Sequence, residues 1–371
     1  MHRKDSYALA VVIGRFSPFH NGHLALVRHA LALADQVLIV LGSAAQPRTV
    51  KNPFLAAERE QMIRACLPDA AARLHFAALP DNLYSDQAWV TGVQRAVDAS
   101  GAPATRVCLV GYEKDESSYY LKMFPQWRLE PFALTQGQVS ATQVRDILFA
   151  DLLETADGKT PATEDFATQP LALKKPDAGR DMLLASWLPA AVLDFIRAFR
   201  RTDAFEQLVR EHTFLQTYRS QFVGLKYPPI FVTVDAVVVQ SGHVLLVQRG
   251  AEPGKGLWAL PGGFLDANER IADAVIRELV EETRIKVPAK VLRGSIKASQ
   301  VFDHPGRSQR GRTITHAHLI VLEDSPAGLP EIKGGSDARR ARWVPLAVAR
   351  NMSESFFEDH GSILEHFVAN L

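Results

Sequence analysis

Two groups of residues have the types and spacing to handle phosphorus. In the first, Gly14-Arg15-Phe16-Ser17-Pro18-Phe19-His20-Asn21-Gly22-His23 follows an apolar run and opens a helix-like segment. At such a turn the free backbone N–H groups and the helix dipole favour an anion. His20 and His23 can present ring N–H donors to it, and Gly22 lets it approach the backbone. A lone histidine here is more often a cap or a packing residue; two around a glycine favour charge stabilisation at phosphorus. In the second group, Pro261-Gly262-Gly263 leads to Glu269 and then Arg277-Glu278-Leu279-Val280-Glu281-Glu282. On one helix, Glu278, Glu281 and Glu282 share a face, where like charges cost a few tenths of a kcal/mol per pair. A hard cation, Mg²⁺ or Mn²⁺, relieves that repulsion, so the three carboxylates are expected metal ligands.

Two further segments complete these groups. In Val139-Ser140-Ala141-Thr142-Gln143-Val144-Arg145, Ser140 or Thr142 is expected to cap a helix whose first turn faces a triphosphate, with Arg145 reaching its β- and γ-phosphates. Residues 302–316 bring Arg307, Arg310 and Arg312 into one glycine-containing loop, the expected grip for a second phosphate group.

The surrounding pattern supplies the elements that must carry them. Residues 8–13, 37–41 and 107–110 are short β-branched apolar runs, and a helix-like segment from Gly22 to Ala34 separates the first two. Buried strands alternating with helices predict a parallel α/β sheet. Residues 154–181 are polar, hold Pro and Gly and lack a period, which predicts a mobile loop or insertion. From Leu188 to Phe222 the spacing of Val192, Phe195, Ile196, Phe199, Phe205, Leu208 and Val209 is helical, until Tyr227-Pro228-Pro229 stops it. Residues 230–239 and 244–248 flank Ser241-Gly242, a hairpin signal. The expected division is a domain over 1–187, a helical connector over 188–226 and a second domain over 227–371.

The 371 residues suffice for two cores, and 42 basic against 41 acidic side chains leave no broad electrostatic footprint for nucleic acid. Cys66 and Cys108 have no metal-type spacing and read as core residues of a reducing compartment. The basic start Met1-His2-Arg3-Lys4 precedes an apolar run too short for a signal peptide, and no stretch reaches the ~20 apolar residues that span a bilayer. A cytoplasmic protein without membrane or nucleic-acid partners is expected; self-association is left open.

The 14–23 stretch resembles the HxGH signature of the adenylyltransferase superfamily, and 139–145 is similar to its second signature, ISxTxxR. The resemblance implies a Rossmann-like domain, a parallel sheet with helices on both faces, in which His20, His23 and Arg145 serve catalysis. Gly14, Arg15, Phe16, Gly22, Ser140 and Thr142 would line the site of ATP, a substrate. Gly42-Ser43-Ala44-Ala45-Gln46, Asn52-Pro53-Phe54, Glu58-Arg59 and residues 80–94 and 111–127 are similar to the nicotinamide mononucleotide adenylyltransferase branch. That implies nucleotide contacts at Asn52 and Gly111 and a nicotinamide ring stacked on Trp89. From Gly263 through Glu282 and at Ile285 the chain resembles the Nudix box, GX5EX7REUXEEXGU, whose fold is an α/β/α sandwich with a mixed sheet. The resemblance makes Glu278, Glu281 and Glu282 ligands or base, adds the Gly263 carbonyl as a ligand, and gives Arg277 an orienting role. It departs at Arg284, where the box has glycine; the turn after the helix is then in doubt, because Arg tolerates φ > 0 poorly. The stretch around 302–316 resembles the fused branch whose Nudix domain takes ADP-ribose. The combined expectation is synthesis of NAD from ATP and nicotinamide mononucleotide with hydrolysis of ADP-ribose. The alternatives are a Nudix domain that senses ADP-ribose or NAD, one that cleaves another ADP-linked compound, and a different acceptor in the first domain.

Overall fold

The structure, a computed structural model, describes residues 6–112, 116–133, 139–174, 178–336 and 338–369. The chain divides into two compact units, residues 1–153 with 173–212 and residues 154–172 with 213–371.

In the first unit the elements run β1 (Tyr7–Gly14), α1 (Asn21–Leu33), β2 (Ala34–Leu41), α2 (Ala56–Cys66), β3 (Leu74–Ala78), α3 (Asp86–Asp98), β4 (Val107–Gly111), β5 (Arg128–Pro131) and α4 (Ala141–Phe149). The five strands form one sheet in the order β3-β2-β1-β4-β5, and every pairing is parallel. Central β1 has neighbours on both edges, so it is apolar throughout its middle: Ala10, Val11 and Val12 are fully buried. Val90, Val93 and Val97 of α3 pack on Leu9, Val11, Leu38, Val40 and Leu109, and α1 lies along β1 and β2. The strand order runs outward in both directions from β1, the switch point at whose carboxyl-end side sheets of this kind bind ligands.

The expected loop over 154–181 is more ordered than its composition suggests. Leu153–Glu154 and Ala172–Leu173 form a two-stranded ribbon, Asp165–Thr168 is a short helix, and another helix runs over Ala178–Trp187. Phe166, buried against the Phe214 ring at 5.3 Å, anchors the segment; one aromatic leaves no period to read. Residues 175–177 of this stretch lie outside the described residues. Nor is 188–226 a single connector: Ala190–Phe199 and Asp203–Ser220 are separate helices, and residues up to His212 group with the first unit. Phe54 joins Phe199 at 5.1 Å in that unit's core.

The second unit is built on a strand over Phe231–Gln240 and its hairpin partner His243–Arg249. Ser241 and Gly242 both take positive φ, 47° and 70°, which suits the right-handed strand twist of a two-residue hairpin. The seven-stranded sheet is mixed: Thr313–Val321 runs parallel to Phe231–Gln240, whereas the other pairings are antiparallel. Alternation along Phe231–Gln240 sends Val234, Ala236 and Val238 toward Ala274, Val275 and Leu279 of the Ile271–Thr283 helix. Val237 and Val239 face Ile363, Leu364 and Phe367 of the His360–Val368 helix. The two helices therefore sandwich the sheet. Among the described residues no helix is long and apolar enough to cross a membrane.

Candidate active sites

The first site begins with His20, the N-cap of α1. Its Nδ1 accepts from Gly22 N at 3.2 Å and His23 N at 3.4 Å, while His23 Nδ1 accepts from His20 N at 3.4 Å. This is a capping box made by two histidines. Because both Nδ1 atoms accept, the proton of each neutral ring sits on Nε2. The rings stack with centroids 3.6 Å apart, and Phe16 meets the His23 ring edge-on at 4.9 Å. Burial first, then the Arg145 charge, pushes His20 down to about 4. Burial, His20 and Arg15 hold His23 well below its usual range, with the Pro18 backbone opposing. The pair is therefore neutral at pH 7 and offers donors rather than cations.

Phe16 reaches His23 through a left-handed backbone, φ 49°. Gly14 permits this, since a Cβ there would lie 2.9 Å from the Phe16 ring. Opposite, Ser140 rather than Thr142 caps α4: its Oγ accepts from Gln143 N at 3.2 Å, and Gln143 closes the box. Arg145 donates to the Ser17 carbonyl at 2.7 Å and to Thr142 Oγ1 at 3.1 Å, and burial lowers it to about 10. The two signatures thus meet at Ser17, 128 residues before Arg145. Arg15 is exposed beside them.

Asn52 is buried and its Oδ1 has no partner among the described residues, which leaves it an acceptor to offer. Trp89, partly buried on α3, meets Tyr120 at 6.0 Å and Phe124 at 5.9 Å. Gly111 has a packing cause: a Cβ there would lie 2.4 Å from Leu121, and its carbonyl accepts from Phe132 N at 2.8 Å. The sequence reading missed Lys51, lowered by burial and by the charges of Arg15 and Arg145 while Asp81 opposes. With Arg15 and Arg145 it makes a cationic group suited to a triphosphate. Its signal, basic residues in the loop ahead of Asn52-Pro53-Phe54, is present in the sequence.

In the second site, Gly262–Phe264 and the Ile271–Thr283 helix face each other. A Cβ on Gly262 would lie 2.1 Å from the Val234 carbonyl, so that position requires glycine, and one on Gly263 would lie 2.5 Å from Glu278 Oε1 and displace that carboxylate. The three glutamates share a helix but not one environment. Glu282 is buried and accepts from Gly262 N at 3.0 Å. Glu278 and Glu281 turn to Arg277 Nη1 at 2.9 and 3.1 Å, and Glu269 meets Arg277 Nη2 at 2.5 Å. Among the described residues no three acidic, histidine or cysteine side chains already converge as a metal-ligand group. The donors nevertheless suit a hard cation: all are oxygens, and the glycine cradle brings the Glu278 carboxylate against the strand. Arg277 supplies the positive charge that keeps these carboxylates together, and Glu269 in turn holds Arg277 protonated.

Arg284 adopts the left-handed conformation expected of the missing glycine, φ 46° and ψ 33°, so the turn survives the departure from the box. Lys333 N donates to Thr283 O at 2.8 Å and Gly335 N to Glu282 O at 2.9 Å, satisfying carbonyls the helix end leaves open.

The expected triple-arginine grip does not form. Arg307 is buried in a bidentate pair with Asp359, at 2.9 and 2.8 Å, and 4.0 Å from Asp235. Arg312 turns to the Asp303 carbonyl. Arg310 lies 5.0 Å over Phe264 and is the one of the three beside the glycine strand. Spacing within a loop could not show that Arg307 has a partner 52 residues downstream.

Comparison with known proteins places both halves of the chain in known domain families. Residues 11–98 match the cytidylyltransferase-like family and residues 229–367 the NUDIX domain. A nicotinamide/nicotinic acid mononucleotide adenylyltransferase of Acinetobacter baylyi is 35% identical over 57% of this chain and 93% of its own. An ADP-ribose pyrophosphatase of Methanocaldococcus jannaschii is 34% identical over 37% of this chain and 72% of its own. A bifunctional NMN adenylyltransferase/ADP ribose pyrophosphatase from Francisella tularensis, crystallised with AMP and a manganese ion, superposes with TM-score 0.82 at 33% identity over 98% of this chain and 99% of that one. With a Rossmann-like sheet, a Nudix sandwich and relatives spanning both, the chain belongs to the family of bifunctional NMN adenylyltransferase/ADP-ribose pyrophosphatases.

Proposed function

We propose that residues 1–187 transfer the adenylyl group of ATP to nicotinamide mononucleotide, giving NAD and pyrophosphate, and that residues 227–371 hydrolyse ADP-ribose to AMP and ribose 5-phosphate. The observation that carries the first reaction is the neutral histidine pair with its protons on Nε2, beside Arg145 at a helix N-terminus. An oxygen of the mononucleotide phosphate attacks the α-phosphorus, and the bond to pyrophosphate breaks. His20 and His23 donate to the α-phosphate oxygens, Arg145 and Lys51 neutralise the departing pyrophosphate, and the 14–16 and Gly22 backbone with Ser140 and Thr142 cradles the triphosphate. Rate then comes from position and preset dipoles, not from a covalent intermediate. Asn52 and Trp89 hold the acceptor, the indole face stacking on the nicotinamide cation.

In the hydrolase half, Glu278, Glu281, Glu282 and the Gly263 carbonyl would hold Mg²⁺ or Mn²⁺, which would supply neutralisation of the diphosphate and easier deprotonation of water. Arg277, paired with Glu269, Glu278 and Glu281, would orient those carboxylates for the cation, and Arg310 would face the diphosphate. The intact carboxylates favour turnover over sensing of ADP-ribose. Cys66 and Cys108, their thiols pushed up to about 11 and 12 by burial, are inert in keeping with a cytoplasmic enzyme of small nucleotides.

Incubation with Mg²⁺ tests this: ATP plus nicotinamide mononucleotide in one tube, ADP-ribose in another, each repeated with EDTA. NAD in the first and AMP with ribose 5-phosphate in the second are expected, both abolished by chelation. ADP-ribose that binds but survives would make the second half a sensor, and preference for the nicotinic acid nucleotide would change the acceptor.

A further inference from the structure

Arg59 of α2 is 1% exposed, yet no carboxylate bonds it among the described residues. Its Nη1 donates to the carbonyls of Arg15 and Gly42, each at 2.6 Å, and its Nη2 to Ser43 O at 3.2 Å. Those carbonyls belong to two loops, the one that leads from β1 to His20 and the one that leaves β2. The second loop is held in an unfavourable shape: Ser43 and Ala45 have φ of 50° and 52°. Asp81 takes Ser43 N at 3.0 Å and Ser43 Oγ at 2.5 Å, Gln46 donates to Ser43 O at 3.0 Å, and Gly42 N reaches Gly14 O at 3.0 Å. Strained backbone persists only where its surroundings over-determine it. Here the restraints converge on the two loops that border the histidine pair, and the ion spanning both is Arg59.

We propose that Arg59 is a positioning residue for adenylyl transfer: its fork sets the spacing of the β1 and β2 loops so that the bound phosphates meet His20 in register. A buried guanidinium shared by three carbonyls is costly to desolvate when no anion pairs with it. The carboxylates of Asp81 and Glu58, though not bonded to it, are the charges that favour its ionised form against burial. The inference rests on the adenylyl-transfer reading of the first unit.

The test is Arg59→Lys and Arg59→Met in the full chain, assayed for NAD formation at saturating ATP and nicotinamide mononucleotide, with far-UV circular dichroism and hydrogen exchange of α2. A loss of fork geometry of about 1 Å costs on the order of 100-fold in rate. We expect folded Arg59→Lys to lose about 10- to 100-fold in kcat with a smaller change in KM, Arg59→Met to lose more, and ADP-ribose hydrolysis to stay unchanged. Retention of at least half the wild-type kcat by either folded variant overturns the proposal. So does a loss that only tracks the unfolded fraction, including failure of both variants to fold, because that is the behaviour of a plain brace. A wild-type chain that makes no NAD in the same assay removes the reading beneath it instead.

Discussion

The two sites meet phosphate by opposite means. In the first, the donors are neutral and preset: each imidazole is locked through Nδ1 to the backbone, and burial keeps His20 uncharged down to about pH 4. In the second, like charges crowd one helix and Arg277 bridges them, pairing with Glu269, Glu278 and Glu281. A site made of fixed dipoles is shaped before its substrate arrives and owes little to reorganisation. On the proposed reading, a site made of carboxylates is complete only when a cation takes over from the guanidinium; Glu282 is already held against the glycine strand by Gly262 N.

Separate substitutions should break the molecule along this line. His20→Ala removes both a cap and a donor, and NAD formation should fall on the order of 100- to 1,000-fold while ADP-ribose hydrolysis persists. Glu282→Gln should do the reverse, costing about 100-fold or more in hydrolysis, the upper end of the loss seen for partners one shell further from a metal. Product chromatography on both variants decides it. If either variant loses both activities, the sites are not independent and the comparison fails.

Divalent cation should also act unequally. At ~100 times its dissociation constant, Mg²⁺ or Mn²⁺ stabilises whatever it binds by about 2.7 kcal/mol. Without nucleotide, slower hydrogen exchange is expected in the Ile271–Thr283 helix and no change in α1. Equal protection of the two helices would place a cation in the first site as well, and protection of neither would mean that the glutamates need the diphosphate before they leave Arg277.

What could be read in advance follows the same division between local and distant causes. His20, Gly22 and His23 lie within one helical turn, and Glu278, Glu281 and Glu282 within another, so spacing alone put each set together. The three inner strands of the parallel sheet, β1, β2 and β4, showed as unbroken apolar runs because both their faces are covered, whereas the edge strands β3 and β5, only partly buried, gave no such run. Arg59, Lys51 and Asp81 gain meaning only when loops far apart in sequence close on one another. Arg307 misled for the same reason: among the basic residues of its loop it looked available, and the buried carboxylate of Asp359 takes its fork. The 154–181 stretch hid its order because Phe166 packs alone.

Arg284 offers the finest test, since it sits directly behind the carboxylate helix yet touches none of the chemistry. Its left-handed backbone costs a non-glycine residue of order 1–3 kcal/mol, whereas glycine there would lose ~0.5–1 kcal/mol more chain entropy on folding. The balance predicts that Arg284→Gly stabilises the second unit by about 1 kcal/mol. It would appear as a higher urea midpoint at unchanged slope, with ADP-ribose hydrolysis retained. The opposing contribution is the contact with Gly335, whose missing Cβ would stand 2.9 Å from Arg284 Nε. A lower midpoint would mean that the arginine stem closes the helix end over residues 333–335 more strongly than its backbone strains it. The carboxylate site would then depend on a side chain its motif does not contain.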